Sequence, residues 1–363
     1  MKAYLDYAAT TPVDPEVLEK TLPCLTENFG NPDSLHAYGR TAAYALSEAR
    51  DRVAHTLGVR PSEIYFTSGG TEADNWAVRM LGGGRVCVSA VEHRAVLAAA
   101  ELCEGGMSVL PVLPSGIADV SALGGLPSDT GMVCVMAVNN ETGCVQPIGE
   151  ISEYCRARGI LFFSDCVQAA GSCDLKETAK VCDAFSLSAH KIYGLKGTGA
   201  LVVKKGVKLR PFVAGGEQER GLRGGTPNVA GIVAFSYALE KAQELREESY
   251  RRASALKKAF TDRIAPLGDR VRIDGENTVP QILHVTPARG GTELLNRLDL
   301  CGIACAGGAA CSAHSALPSH VMLAMGRGEE EAKRGIRFSF GRETTEAEVL
   351  FAADKLTECL LET

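Results

Sequence analysis

The stretch Ile64-Tyr65-Phe66-Thr67-Ser68-Gly69-Gly70-Thr71-Glu72-Ala73-Asp74-Asn75 decides the fold. Its first four residues are β-branched or aromatic and predict a short strand. A glycine pair ends that strand, and a helical pattern opens at once with a hydroxyl in its first turn and runs on from Trp76 to Leu81. Strand, glycines and helix start together make a phosphate cradle, because free backbone N–H groups and the helix dipole both point at the anion. A Gly-Gly pair before a helix also serves as a plain tight turn, so the stretch alone leaves both readings open. It lacks the Gly-Lys-Thr of a nucleotide-binding loop.

Outward from this unit the same rhythm repeats. Upstream, an extended piece over 4–12 leads into Asp14-Pro15, a helix-starting pair, and residues 41–57 carry Ala42, Ala45, Leu46, Ala49, Val53 and Leu57 at helical spacing before Gly58. Downstream, strand-like runs at 85–90, 109–113, 132–138 and 160–164 alternate with helical patterns beginning near Glu92-His93 and around 151–158. The alternation predicts an α/β fold with a mostly parallel sheet and helices on its faces.

In such sheets ligands gather beyond the carboxyl ends of the strands. Polar clusters fall at those ends: His93, Asn139-Asn140-Glu141, Asp165 with Gln168, and Ser188-Ala189-His190-Lys191. Each has an ordinary explanation when taken singly: a helix-capping histidine, a turn asparagine, an N-cap aspartate, a solvated lysine. A lysine leaving the end of a buried strand is also desolvated on one side, which lowers its amine pKa and suits it to Schiff-base formation.

After the glycine-rich loop 215–228 the chain reads as helical over 229–246 and 249–265, with a charge-dense junction at 244–252 expected to be a solvated hinge. Strand-like runs at 271–273, 281–285 and 336–340 then mix with helices around 293–299, 319–324 and 345–361, as in a smaller α+β domain. The expected division is a large domain over 14–248 and a small one built from 1–13 and 249–363, carrying the small-residue-rich stretch 301–317.

Composition sets the frame. The 363 residues are 45% hydrophobic, enough for two domains with substantial cores, and Lys+Arg 38 against Asp+Glu 44 gives a net charge of -6. No long basic run implies a nucleic acid or membrane partner. The start, Met1 to Asp6, lacks an apolar signal core, and no apolar segment approaches the roughly 20 residues that cross a bilayer, so cytoplasm is the expected address. Thirteen cysteines stand singly, several in apolar runs (Cys87, Cys134, Cys166, Cys182), which suits reduced thiols. Cys301, Cys305 and Cys311 could be read as a metal or redox scaffold, but they lack the paired Cys-x-x-Cys of such sites.

The ordered motifs Leu5-Asp6-x-Ala8-Ala9-Thr10-Thr11-Pro12, Thr67 to Asn75, Val91-Glu92-His93, Asn139 to Gly143, Asp165-x-Val167-Gln168-Ala169, Ser188 to Lys191, Arg220-Gly221-Leu222-Arg223-x-Gly225-Thr226, Ala310-Cys311-Ser312 and Ile336 to Arg342 resemble the cysteine desulfurases, pyridoxal-phosphate enzymes of the class V aminotransferase kind. The resemblance covers essentially the whole chain, and Leu317-Pro318-Ser319-His320-Val321 after the loop resembles the subgroup with a long, mobile cysteine loop that supplies iron–sulfur cluster assembly. It implies a fold type I transferase with a seven-stranded sheet, converting L-cysteine to L-alanine and a persulfide on Cys311.

By the same resemblance Lys191 would hold pyridoxal phosphate and move the substrate Cα proton. Asp165 would face the pyridine nitrogen, His93 would stack on the ring, and Asn140 and Gln168 would meet its phenolic oxygen. Gly70, Thr71, Ser188 and His190 would hold the phosphate, with Thr226 arriving from a partner subunit of a homodimer. Asn140 and Arg342 would bind the substrate, the arginine by its carboxylate. His93 or His314 would activate the Cys311 thiolate. No resident metal is implied, although Cys311 could transiently ligate iron–sulfur, and an iron–sulfur scaffold is the expected acceptor. A selenocysteine lyase or another class V aminotransferase is the alternative within this fold.

Departures from the usual family pattern lie beside these groups: Ala306, Gly307, Ala309 and Gly225 replace serines, Cys166 replaces alanine, and Cys305 is added as either a resolving or a packed thiol.

Overall fold

The computed structural model describes residues 1–81, 83–307 and 317–362. The chain enters through β1 (Ala3–Tyr4) and turns into α1 (Pro15–Thr26). That helix starts where expected: Asp14 Oδ1 accepts the Glu16 N–H at 3.0 Å, and Pro15 fills the first position, where a missing N–H has no partner to lose. α2 (Ala37–Leu57) begins four residues before the expected 41 because His36 caps it, its ring Nδ1 accepting the Gly39 N–H at 3.2 Å. Gly58 ends it in the left-handed conformation, φ 67°.

Next come β2 (Ile64–Thr67), α3 (Gly70–Met80), β3 (Arg85–Ser89), α4 (Arg94–Glu101), β4 (Met107–Leu110), β5 (Thr130–Cys134), α5 (Ile148–Arg158), β6 (Leu161–Asp165), α6 (Leu175–Val181), β7 (Ala184–Ser188) and β8 (Gly199–Val203). The seven strands β2 to β8 form one sheet in the order β2-β8-β7-β6-β5-β3-β4. Within it β8 alone opposes its neighbours, and every other pairing is parallel. β7 and β8 are buried at every residue, as strands covered on both faces must be. β5 ends before the expected 138: Val135 and Ala137 still donate to the Phe163 and Asp165 carbonyls of β6, and Val138 then forms an isolated bridge with Val145.

The second half runs through the single turn α7 (Gln218–Gly221), α8 (Val229–Glu244), α9 (Arg246–Ile264), β9 (Val271–Asp274), β10 (Ile282–Pro287), α10 (Thr292–Leu300), β11 (Ile303–Ala304), β12 (Ala306–Gly307), α11 (His320–Ala324), α12 (Glu329–Ala332), β13 (Ile336–Ser339) and α13 (Glu346–Leu361). The hinge expected over 244–252 contracts to Leu245. Its N–H still reaches the Lys241 carbonyl and its carbonyl still takes the Ser249 N–H, so hydrogen bonding carries across the kink. β12, β13, β10 and β9 form an antiparallel sheet, and β1 pairs in parallel with β11.

Apolar packing separates accordingly. One core gathers Val53, Leu57, Phe162, Leu187 and Phe235 around the large sheet, whereas another joins Leu5, Phe260, Leu283, Phe338 and Leu356, so the first few residues pack with the last hundred. The segment after β1 therefore has to cross from one core to the other, and it does so at the carboxyl ends of the large sheet. Among the described residues no helix is long and apolar enough to cross a membrane.

Candidate active site

β7 ends at Ser188, and a single 3-10 turn (Ala189–Lys191) brings Lys191 off the buried strand. Its Nζ donates to the carbonyls of Ala8 at 2.6 Å and Ala9 at 2.9 Å, and Gln168 Nε2 reaches the same Ala8 carbonyl at 2.7 Å. The crossing segment is laced down beside them. Thr11 donates from both N–H and Oγ1 to the His190 carbonyl at 3.0 Å, and the Tyr193 N–H returns to Thr11 Oγ1 at 2.8 Å. Tyr193 holds a positive φ of 68°, a sparsely populated conformation for a bulky residue that this lacing maintains.

Under the lysine lies an acidic floor. Asp165 closes β6 opposite Ser186 of β7, and its Oδ1 accepts the Val167 N–H at 2.9 Å. Burial pushes its carboxyl up, while His93, the Val167 N–H and Lys191 pull the other way. His93 caps α4, its Nδ1 accepting the Ala95 N–H at 3.1 Å, which assigns the proton of the neutral ring to Nε2. One ring nitrogen of His93 and one carboxylate oxygen from each of Asp74 and Asp165 lie within 4.8 Å of one another. Asp74, inside α3, was not among the expected site residues. Nothing local marks it out in the sequence: it stands as one more polar residue of a helix, and only the packing of α3 shows it buried beside Ala73 and Ala77.

A cavity opens at the start of α3, lined by Ser68, Gly69, Gly70, Thr71, Ser188 and His190. Gly69 caps the helix with φ 153° and no side-chain bond to the first turn, and a Cβ on Gly70 would stand 2.8 Å from Val167 Cγ2. The glycine pair therefore makes both the tight turn and the cradle: close packing against the loop after β6 excludes side chains, which leaves the helix N–H groups open to an anion. Burial first, then Lys191 and Lys196, drive the His190 imidazole down to about 4, so it is neutral at pH 7.

Asn139 and Asn140 divide their work. The Asn139 Oδ1 accepts the N–H groups of Glu141 and Thr142, both at 2.9 Å, and its Nδ2 donates to the Val91 carbonyl at 3.0 Å, so it ties the loop after β5 to the turn carrying His93. Asn140 is half-buried, and its carbonyl accepts Arg337 Nη1 at 2.8 Å. Arg337 is 2% exposed, its Nη2 pairs with Asp6 at 2.8 Å, and its Nε has no partner among the described residues. Arg342 is engaged elsewhere, 3.3 Å from Asp14 and 4.3 Å above the Tyr193 ring, although it shares a cavity lining with Lys191 and Gln168. Thr226 is exposed and does not line the cradle cavity within one chain. Cys311 and His314 lie outside the described residues.

These residues fit a molecule bearing a carbonyl, a basic ring nitrogen and a phosphate. They offer one amine on a short tether, one buried carboxyl with compensating donors, an aromatic imidazole and an open helix start, all at the carboxyl ends of neighbouring strands.

Comparison with known proteins agrees. The chain is 39% identical to the cysteine desulfurase IscS of Clostridium botulinum (strain Hall), over 99% of this chain and 94% of that one. It is 40% identical to the cysteine desulfurase IscS of Methanosarcina thermophila, over 95% and 89%. A solved NifS-like protein superposes with a TM-score of 0.92 at 34% identity, covering both chains completely. The Aminotransferase class-V family matches residues 3–351, and the chain belongs to that family.

Proposed function

We propose that this chain is a pyridoxal-phosphate-dependent cysteine desulfurase that takes sulfur from L-cysteine, leaves L-alanine and carries the sulfur as a persulfide on Cys311. Full-length similarity to cysteine desulfurases supports the activity and the cofactor. The observation that carries the site assignment is the convergence of Lys191, Asp165, His93 and the α3 cradle at one end of the sheet.

When bound, pyridoxal phosphate supplies an electron sink for bonds broken at the substrate's Cα and Cβ. Lys191 is assigned to hold it and then to move the Cα proton, and the Ala8 and Ala9 carbonyls keep its amine in place beforehand. Asp165 would face the ring nitrogen; Gly70, Thr71, Ser188 and neutral His190 would receive the phosphate, and His93 would stack on the ring. Asn140 and Gln168 bound the phenolic side. The Cys311 thiolate attacks the substrate sulfur: an S–S bond forms as the Cβ–S bond breaks, and the electron pair left on Cβ takes up a proton to give alanine.

For the substrate carboxylate the geometry favours Arg337 over Arg342. Arg337 is buried beside Asn140 with an unpartnered Nε, so a carboxylate arriving there would find one open N–H beside the Nη groups held by Asn140 and Asp6. Arg342 already has Asp14 and Tyr193.

The reading extends to a homodimer in which Thr226 completes the partner's phosphate site. Support comes from its exposure and from the apolar side chains exposed on and beside α1 and α2, Phe29 at 67% and Leu35 at 91%. Division into bodies 14–248 and 1–13 with 249–363 is supported by the two cores, although Ala8, Val279 and Ile282 pack with the large-sheet one. The acceptor proposed is an iron–sulfur scaffold protein, as the resemblance of the cysteine loop to the cluster-assembly subgroup implies. The twelve free thiols among the described residues suit a reducing cytoplasm.

The test is direct. Purified protein incubated with L-cysteine and a thiol should release alanine and sulfide in equal amounts; alanine without sulfide or persulfide would refute the assignment.

A further inference from the structure

Two carboxyl groups meet beneath the pocket from different elements, Asp165 at the end of β6 and Asp74 within α3, and the charge of a third, Glu92 in the turn before α4, acts on them. All are buried, with exposures of 6%, 1% and 0%. Like charges this close and this dry cannot all persist, so the protons are shared out by hydrogen bonding and by neighbouring cations.

The surroundings differ. Asp165 has the Val167 N–H on its Oδ1, with His93 and Lys191 nearby. Glu92 Oε1 accepts Ser89 Oγ at 2.5 Å and the Met136 N–H at 2.8 Å, but its Oε2 has no partner among the described residues, and burial pushes the acid up to about 8. Asp74 meets the Ser186 hydroxyl at 2.5 Å, a group able to donate or accept, and it faces Asp165, Glu92, His93 and Cys134 from β6, the turn before α4 and β5. Burial first, and the Asp165 charge next, hold its carboxyl far above the usual range.

We propose that Asp74 is a positioning residue: it keeps its proton, and its neutral acid group beneath Asp165 leaves Asp165 as the one ionised carboxylate of the floor, aimed at the cofactor's ring nitrogen. The inference rests on the assignment of Asp165 made above. A second anion at Asp74 would raise the proton affinity of Asp165, whereas a neutral dipole there supports its charge. The Ser186 hydroxyl holds the Asp74 carboxyl in place from the strand next to Asp165, its register partner.

Infrared spectra of the holoenzyme at pH 7 test the protonation. Asp74→Asn is expected to lose one deuteration-sensitive protonated-carboxyl band, and a Glu92→Gln, Glu141→Gln double variant, which removes two other buried acids that burial pushes up and keeps Asp74 and Asp165, is expected to keep one. Either spectrum turning out otherwise overturns the proposal. Cofactor dissociation, followed by the absorbance of the bound group, tests the role. Asp74→Asn, neutral and of the same shape, should hold pyridoxal phosphate within about twofold of wild type, and Asp74→Leu about tenfold less tightly. Equal weakening in both variants, or none in Asp74→Leu, overturns it; near-ultraviolet circular dichroism checks that each is folded. Failure of the underlying assignment looks different, since Asp165→Asn would then leave the cofactor's absorbance and its pH dependence unchanged.

Discussion

Arg337 Nη1 donates to the Asn140 carbonyl at 2.8 Å, so the last strand of the small sheet is tied to the loop beyond β5 of the large one. A side chain from one core is thereby committed to a site whose remaining groups belong to the other.

Arg337→Lys should raise the KM for L-cysteine by about tenfold or more, because one ammonium cannot keep the Asn140 and Asp6 contacts and still offer an N–H to the substrate carboxylate. Arg342→Lys should change it by less than about threefold. Steady-state kinetics on both variants, with thermal melting to check the Asp6 pair, decide between them; a larger KM effect at Arg342 would restore the assignment read from sequence.

Two variants separate cofactor from sulfur chemistry. Lys191→Ala should lose both covalent cofactor absorbance and turnover, by about a thousandfold or more. Cys311→Ser should keep the absorbance and lose sulfide release to a similar degree. Full sulfide release by Cys311→Ser would remove that cysteine from the mechanism.

The low proton affinity of His190 makes the cofactor-free protein sensitive to acid. A histidine whose folded pKa lies at about 4, below its unfolded value, binds fewer protons folded than unfolded between about 4 and 6.5. Stability should therefore rise with pH across that window and gain nothing more from this group above it. His190→Asn should flatten the rise by up to about 1.4 kcal/mol per pH unit, one proton's worth, in unfolding measured from pH 4 to 8.

Asp274 anchors the small sheet. Its Oδ2 takes His284 Nδ1 at 2.9 Å and Thr286 Oγ1 at 2.6 Å, and its Oδ1 takes Arg272 Nε at 2.7 Å. Burial pushes its carboxyl up, but those partners outweigh it and hold the group at about 2. The contribution is complete above the ordinary carboxylate pKa and is lost as pH falls toward 2. Asp274→Ala should lower the unfolding free energy by about 3–5 kcal/mol, since it strands buried donors, while leaving the bound cofactor's absorbance unchanged. Denaturant unfolding beside an absorbance spectrum measures both.

Much of this molecule is local in origin and so was legible in the linear chain. Ile64 to Thr67 form a strand because β-branched and aromatic residues fit a pleated surface, Asp14-Pro15 starts a helix because a carboxylate can cap it, and Gly58 stops one because glycine tolerates positive φ. The strand-end clusters were legible for the same reason: the β/α rhythm itself says where the carboxyl ends point.

What the chain alone could not disclose depends on groups meeting across long separations. Arg337 and Arg342 stand five residues apart in one motif, and nothing local tells which guanidinium Asp14 will occupy and which will reach Asn140. Asp74 reads as one more polar residue on a helix until α3 packs over β6 and β7 and removes the water around it. Sequence by itself determined the elements, the family and the lysine proposed to hold the cofactor; tertiary structure decided which buried charges are compensated, because desolvation and pairing exist only once separate elements close on one another.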